Sequence, residues 1–295
     1  MSNIAHMMSF DVEEYFHAEA AARGGLRRED WDRYPMRLGP SVDRILELLA
    51  EHGASATFFV LGWVAQNEPE VVKRIAAAGH EIASHGMRHQ MLTRLSPKQF
   101  RQDILESRKL LEDLGQRPVV GYRAPTFSIM HGTAWALDTL AECGFVYDSS
   151  IFPVRHDRYG VPEAPRWAHM AQGPGGGRLL EIPPLTRQFL GANIPVGGGG
   201  YLRLLPGRFL AGALKKADRL GRPGMIYLHP WELDPGQPVL PMSALSRFRH
   251  RVNLSRTEAK LIRLLRAFRF GDVRSLQDEL LRTGESFVYG PEHKS

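Results

Sequence analysis

Two histidines four positions apart, His85 and His89, close the stretch Gly79-His80-Glu81-Ile82-Ala83-Ser84-His85-Gly86-Met87-Arg88-His89. Glu81 to Ser84 alternates as a short strand does, and Gly86 permits a sharp turn. His85 is therefore expected at a strand's end, with His89 about one helical turn later and facing the same way. That geometry suits two imidazoles on one divalent cation. Spacing alone does not decide it, because H-x-x-x-H also arises by chance between surface histidines. Upstream, Ser9-Phe10-Asp11-Val12-Glu13-Glu14-Tyr15 follows a short apolar start. Asp11 and Glu13 are two apart and share a face in extended chain, so one could serve as a base and the other as a metal ligand. Alone, the pair would read equally well as loop charge.

Such groups need rigid elements to hold them. Met7 to Val12 reads as a first strand with acidic residues at its C-terminal end. Residues 17 to 38 lack clear periodicity and read as a lid or short helix. Ser41-Val42-Asp43-Arg44 reads as a capped helix start, with Ile45, Leu48 and Leu49 as its apolar face. Ala56 to Val60 is a continuous apolar run, as a buried parallel strand shows. Pro69 to Ala78 is a helix stopped by Gly79, and Ser96-Pro97 opens another that runs to about Leu114. Val119 to Pro125 is a strand ending in Arg123, Thr133 to Cys143 a helix, and Phe145 to Ser150 a strand ending in polar groups. Residues 153 to 177 form a long irregular excursion rich in Pro and Gly. Leu179 to Ile182 is a short strand, Ile194 to Tyr201 a flexible loop and residues 207 to 220 a helix. Met225 to Glu232 is a final strand that delivers His229, and Thr257 to Phe268 an outer amphipathic helix. The glycines of 197–200 lack a following Lys-Ser or Lys-Thr, so they are not a phosphate-binding loop. Strands and helices alternate, which predicts an α/β barrel or parallel sheet. Every polar cluster closes a strand, and in a barrel those ends converge on one face.

Composition sets outer limits. The 295 residues are 43% hydrophobic, enough for a substantial core in one large α/β domain or two small ones. No apolar run is long enough to span a bilayer. The start, Met1 to Asp11, lacks a basic segment followed by an apolar one, so no signal peptide is read and a cytoplasmic location is expected. The single cysteine, Cys143, excludes an intrachain disulfide and a thiolate cluster; it is expected as a small core residue behind Leu140. The formal charge of +6 reads as a solvated face, and no nucleic-acid motif accompanies it.

Taken in order, Ser9-Phe10-Asp11, Ala56-Thr-Phe-Phe-Val-Leu-Gly62, Gly79 to His89, Arg123-Ala-Pro125, Tyr147-Asp-Ser-Ser150 and Leu228-His229 resemble the motifs of NodB-type polysaccharide deacetylases, carbohydrate esterase family 4. The match spans roughly residues 8 to 232. His229 to Asp234 and Arg247 to Leu254 resemble the subfamily found with exosortase/PEP-CTERM exopolysaccharide loci. The resemblance implies a deformed (β/α) barrel of fewer than eight strands, built as one catalytic domain over residues 1–295, with the extension 233–295 packed on it. It implies removal of N-acetyl groups from amino sugars, with a divalent metal, Zn²⁺ first and Co²⁺, Ni²⁺ or Mn²⁺ as alternatives. Asp11 would be the general base, His229 the general acid, and Arg123 would orient Asp11. His85 and His89 would bind metal. The backbone N–H of Thr126 would help form an oxyanion hole, Leu228 would line the acetyl pocket and Trp231 would contact substrate.

The first motif departs from the family. Many members carry adjacent aspartates, but the second position here is Val12, which cannot bind metal. A branch with Asp-x-Asp spacing moves the ligand to Glu13, with Glu14 as fallback. Two carboxylates, Asp148 and Glu232, are candidates to partner His229. The expected partner is an N-acetylated glycan, not nucleic acid, and a homo-oligomer stays open. Three rivals are a related hydrolase of small cyclic amides (allantoinase-like), a non-catalytic glycan-binding barrel and a zinc peptidase. Intact Asp11, Arg123 and His229 speak against the second. The third fails because His80-Glu81 followed by His85 has the wrong spacing for H-E-x-x-H.

Overall fold

Residues 4–290 are described by a computed structural model. Among the described residues the strands are β1 Ala5–Val12, β2 Thr57–Val60, β3 Glu81–Ser84, β4 Gly121–Tyr122, β5 Tyr147–Asp148, β6 His169–Gln172, β7 Arg178–Glu181, β8 Thr186–Phe189, β9 Ala192–Pro195, β10 Met225–Leu228, β11 Arg269–Gly271 and β12 Ser286–Val288. Seven of them, in the order β10-β1-β2-β3-β4-β5-β7, are parallel to their neighbours. This is the expected deformed (β/α) barrel.

The barrel closes between β7 and β10 without a regular strand pair. Just past β7, Pro184 bridges Met225, and the Leu185 N–H donates to the Met225 carbonyl at 2.8 Å. One residue pair further along, the Tyr227 N–H donates to the Gly197 carbonyl at 2.8 Å. A Cβ on Gly198 would lie 1.8 Å from the Tyr227 carbonyl oxygen. The glycine run expected as a flexible loop is therefore a backbone seam that only glycine can make this close.

Alternation along the strands sorts side chains into two layers. Met8, Phe10, Val12, Phe58, Val60, Ile226 and Leu228 point outward and pack under the helix Leu38–Glu51 through Val42, Ile45 and Leu48. Met7, Phe59, Ala83, Tyr147 and Met225 point inward. The chain after residue 232 returns to the barrel: β11 pairs with the N-terminal half of β1, and β12 with β6 on the outer edge of β7.

Several expectations shift. The helix expected to start at Ser41 begins at Leu38, and Ser41 is buried within it. Its N-terminus is capped from afar, because Glu14 Oε1 accepts the backbone N–H groups of Arg37 and Leu38 at 2.5 and 2.8 Å. The excursion 153–177 contains β6, and Met225 to Glu232 ends as a strand at Leu228, followed by a 3₁₀ turn, Pro230–Leu233. Cys143 packs partly buried against the edge of the core cluster that holds Leu140, with Arg101 Nη1 3.3 Å from its sulfur, instead of lying fully within the core.

Candidate active site

β1, β3, β4 and β10 deliver Asp11, His85, Arg123 and His229 to the C-terminal end of the barrel. Asp11 continues the inward face of Met7 and Ser9. Past Val12 the chain turns tightly, with the Glu13 N–H donating back to the Asp11 carbonyl at 3.0 Å. The turn sends Glu13 inward as well.

Arg123 is fully buried and tied on all sides. Nη1 donates to Asp11 Oδ1 at 2.6 Å and to Ser9 Oγ at 3.0 Å; Nη2 donates to Ser149 Oγ at 2.8 Å and Nε to the Ser149 carbonyl at 3.1 Å. Its guanidinium lies 4.0 Å from the centre of the Phe59 ring. A planar fork with five donors fits this environment, and lysine would not. Asp11 is thereby fixed through one oxygen. Its other oxygen, Oδ2, lies 3.9 Å from His229 Nε2.

Glu13, His85 and His89 form a compact donor group whose ligand atoms lie within 4.8 Å of one another. His85 Nδ1 donates to the Arg123 carbonyl at 2.8 Å. A carbonyl only accepts, so Nδ1 holds the proton and Nε2 presents its lone pair to the site. Glu13 Oε2 lies 2.5 Å from His89 Nε2 and 3.7 Å from His85 Nε2, yet it is buried and receives no well-aligned hydrogen bond. One carboxylate oxygen facing two imidazole nitrogens, all buried, fits a divalent cation shared among them. Burial would push the Glu13 carboxyl up, but the imidazoles of His89, His85 and His229 outweigh it and hold it well below the usual range.

His89 does not follow His85 by a helical turn. The connecting loop is non-helical, with Gly86 at φ 74° and His89 itself at φ 50°. Asp103, on the helix Pro97–Gly115, holds the loop by accepting the Met87 N–H on Oδ2 at 2.7 Å. Sequence reading missed Asp103. The available signal was a carboxylate within the buried stripe Phe100, Ile104, Ser107 and Leu111.

His229 is partnered by Glu232, the second of the two candidates, whose Oε1 accepts from Nδ1 at 2.8 Å. Asp148 is engaged elsewhere, accepting from Ser150 Oγ at 2.5 Å and from the Ser150 N–H at 3.2 Å. Burial would lower the imidazole, but Glu232, Glu13 and Asp11 raise it to about 9. Glu14, the fallback ligand, faces the helix start it caps, and burial raises its carboxyl to about 7.

Three substrate-contact expectations fare differently. Leu228 is fully buried on the outward face of β10, so it cannot line a pocket shared with His229. The residue on His229's side of the strand is Tyr227, two before it. Its ring lies 5.9 Å from His229, 4.9 Å from Phe127 and 6.5 Å from Phe152. Trp231 is stacked against two rings, His229 at 5.0 Å and His250 at 4.4 Å between centres, and is 6% exposed. So buried, it offers a sugar little surface; its indole nitrogen is aimed at Glu13 Oε1, 3.5 Å away. Thr126 sits in left-handed backbone, φ 58°, in the turn Pro125–Phe127, separated from Arg123 by Ala124.

His17 also escaped the sequence reading. It is buried beside the site, its ring stacked 6.2 Å from that of His89. Its Nδ1 accepts the Glu14 N–H at 3.0 Å.

Comparison with known proteins matches residues 31–147 to the family model "Polysaccharide deacetylase". That segment of the chain is thus similar to a polysaccharide deacetylase domain. Residues 149–278 match a second model, a domain of unknown function, DUF3473. The site draws on both matched segments and on the chain before them: Asp11 and Glu13 precede residue 31, His85, His89 and Arg123 lie in the deacetylase segment, and His229 and Glu232 lie in the second. A chitooligosaccharide deacetylase of Bradyrhizobium sp. is 31% identical over 97 residues, 33% of this chain and 42% of that one. A peptidoglycan-N-acetylglucosamine deacetylase of Bacillus cereus is 35% identical over 82 residues, 28% of this chain and 38% of that one. The chain thus spans less than half the length of these curated relatives. Among solved structures, a "probable polysaccharide deacetylase" from Pseudomonas aeruginosa PAO1 aligns at TM-score 0.57 and 19% identity, covering 95% of this chain and 90% of that one. The Puue allantoinase aligns at 0.52 and 18%, covering 89% and 82%. At these identities the likeness is one of fold.

Proposed function

We propose that the protein is a divalent-metal-dependent N-deacetylase that hydrolyses acetamido groups on an amino-sugar glycan. The observation that carries this reading is the meeting of three units at one barrel end: Asp11 on Arg123, Glu13 with His85 and His89, and His229 on Glu232.

Zn²⁺ suits the two imidazoles and one carboxylate best; when bound it would polarise the acetyl carbonyl and acidify water. The chain's own groups do the rest. Asp11, oriented through Oδ1 by Arg123, takes the proton of the attacking water on Oδ2. The Thr126 backbone N–H, just past Arg123, donates to the developing oxyanion. His229, protonated at neutral pH, gives its Nε2 proton to the departing amine. Water and amide are consumed, and acetate and a free amino sugar are released. Tyr227, Phe127 and Phe152 supply an apolar wall beside His229 for the acetyl methyl.

The finer reading is a role in exopolysaccharide biosynthesis, in the exosortase-associated subfamily, acting in the cytoplasm before export. Residues 1–295 act as one catalytic unit, since the barrel and its site need both matched segments. The test is acetate release from chitin oligomers by protein loaded with Zn²⁺, beside a panel of cyclic amides. Asp11→Asn should keep metal and lose turnover, and His229→Ala should slow turnover with metal intact. Hydrolysis of a cyclic amide alone would establish the allantoinase-like rival, and metal loss in Asp11→Asn would sink the base assignment.

A further inference from the structure

The chain between β7 and β10 carries a charge pattern that the chemistry does not use. Residues 182–217 contain no aspartate or glutamate and five basic residues. Arg203 is buried against Glu232, but Arg187, Arg208, Lys215 and Lys216 are exposed. In the same stretch β8 and β9 form a separate antiparallel hairpin. Its tip turns through Leu190 (φ 46°) and Gly191 (φ 79°). Leu190 is 90% exposed and Phe189 58%. Two adjacent large apolar side chains at the end of a prong are unusual on a water-facing surface.

The prong is anchored and placed. Arg166 donates to Thr186 Oγ1 and to the Thr186 carbonyl at the hairpin base, at 2.9 and 2.8 Å. Arg187 lies over the ring of Phe209, 5.6 Å away, which joins the hairpin to the helix Gly207–Leu220 and its outward lysines. The hairpin leaves the barrel from the C-terminal end of β7, the end that bears Asp11, His85, Arg123 and His229.

We propose that this prong and its cationic surround dock the protein, active-site end first, on an anionic lipid bilayer. An apolar tip with Arg187 on its own hairpin and Arg208, Lys215 and Lys216 on the helix packed beside it matches an interface of acyl chains beneath negative headgroups. A second copy of the chain fits poorly, since it would bring the same positive charge against itself. A protein partner needs a broader face than two side chains provide. The docking places the site against glycan held at a membrane surface.

The test is sedimentation of the full chain with vesicles of phosphatidylglycerol and phosphatidylcholine, and with phosphatidylcholine alone. The wild type should bind the mixed vesicles and release at high salt. The double variant Phe189→Ser, Leu190→Ser should bind about tenfold more weakly while melting at the same temperature. Arg208→Glu with Lys215→Glu should weaken binding to the mixed vesicles as well. No binding to mixed vesicles, or equal binding by the tip variant, overturns the proposal. So does a wild-type dimer, seen by light scattering, that the tip variant dissolves in the absence of vesicle binding. None of these readouts depends on deacetylation, so the two readings fail separately.

Discussion

Glu232 grips His229 twice from one turn of chain, accepting the imidazole Nδ1–H at 2.8 Å and the His229 backbone N–H at 3.0 Å on the same oxygen, Oε1. The carboxylate's other oxygen accepts Arg203 Nε at 2.6 Å, and Arg203 Nη1 in turn donates to the His250 carbonyl, also at 2.6 Å. This chain of contacts fixes the imidazole tautomer and aims Nε2 at Asp11 and Glu13. It also ties the site to the segment after residue 232, so the extension supports the acid as well as the barrel edge.

Glu232 should make stability depend on pH in a defined window. Burial alone would raise its carboxyl; Arg203 and His229 outweigh that and lower it from 4.5 to about 2. A depressed carboxylate adds stability above its unfolded value that is lost as pH falls through the folded one. The shift is worth at most about 3 kcal/mol. Glu232→Gln should therefore melt well below wild type at pH 7, with Arg203 left buried and unpaired. The gap should narrow between pH 4.5 and 2. Melting curves of both proteins in chelator check this, and a gap constant with pH would refute it.

The two neighbouring glutamates should separate cleanly. Glu13→Ala should bind Zn²⁺ at least about tenfold more weakly, as should His85→Ala and His89→Ala. Glu14→Ala should keep its metal and lose about 1 kcal/mol of stability, because it removes the cap on the helix Leu38–Glu51. Metal content after dialysis and thermal melts on the same samples decide it. Metal lost from Glu14→Ala and retained in Glu13→Ala would reverse the assignment.

What could be read from the chain, and what could not, divides by range. Buried parallel strands announce themselves as apolar runs such as Ala56 to Val60, and Ser96 caps its helix with a partner three residues on, so both are local signals. Asp11, His85, Arg123 and His229 each end such a run, which is why their convergence was legible. The helix at Leu38 was placed late because its cap, Glu14, lies 24 residues upstream. The barrel seam was invisible because Gly197 and Gly198 pair with a strand some thirty residues away through backbone alone. Leu228, expected at the acetyl pocket, lies on the outward face; period-two alternation puts Tyr227, not Leu228, with His229. Trp231 reads as a substrate contact because nothing local in the sequence places His250 over its ring.

That cover predicts how Trp231 variants behave. Trp231→Phe should preserve the stack on His229 and leave KM for a chitin oligomer near wild type. Loss of the indole N–H facing Glu13 should lower kcat by a few-fold. Steady-state kinetics separate the terms. A raised KM with unchanged kcat would return Trp231 to a sugar-binding role.

Asp103 should act on the metal site at a distance through the backbone. It lies beneath the loop and holds the Met87 N–H, midway between the two histidines. A methyl added at Gly86 would meet Asp103 Oδ2 at 2.8 Å, so the loop is already in close contact with it. Burial raises its carboxyl to about 6, and an amide oxygen can accept the same hydrogen bond without a charge to desolvate. Asp103→Asn should therefore keep metal affinity close to wild type. Asp103→Ala should leave the Met87 N–H unpaired, loosen His89 and weaken Zn²⁺ binding about tenfold. Competition with a chromophoric chelator measures both. Equal affinity in all three proteins would mean that the loop holds His89 without Asp103, and rescue by Asn but not Ala would identify the hydrogen bond as the support.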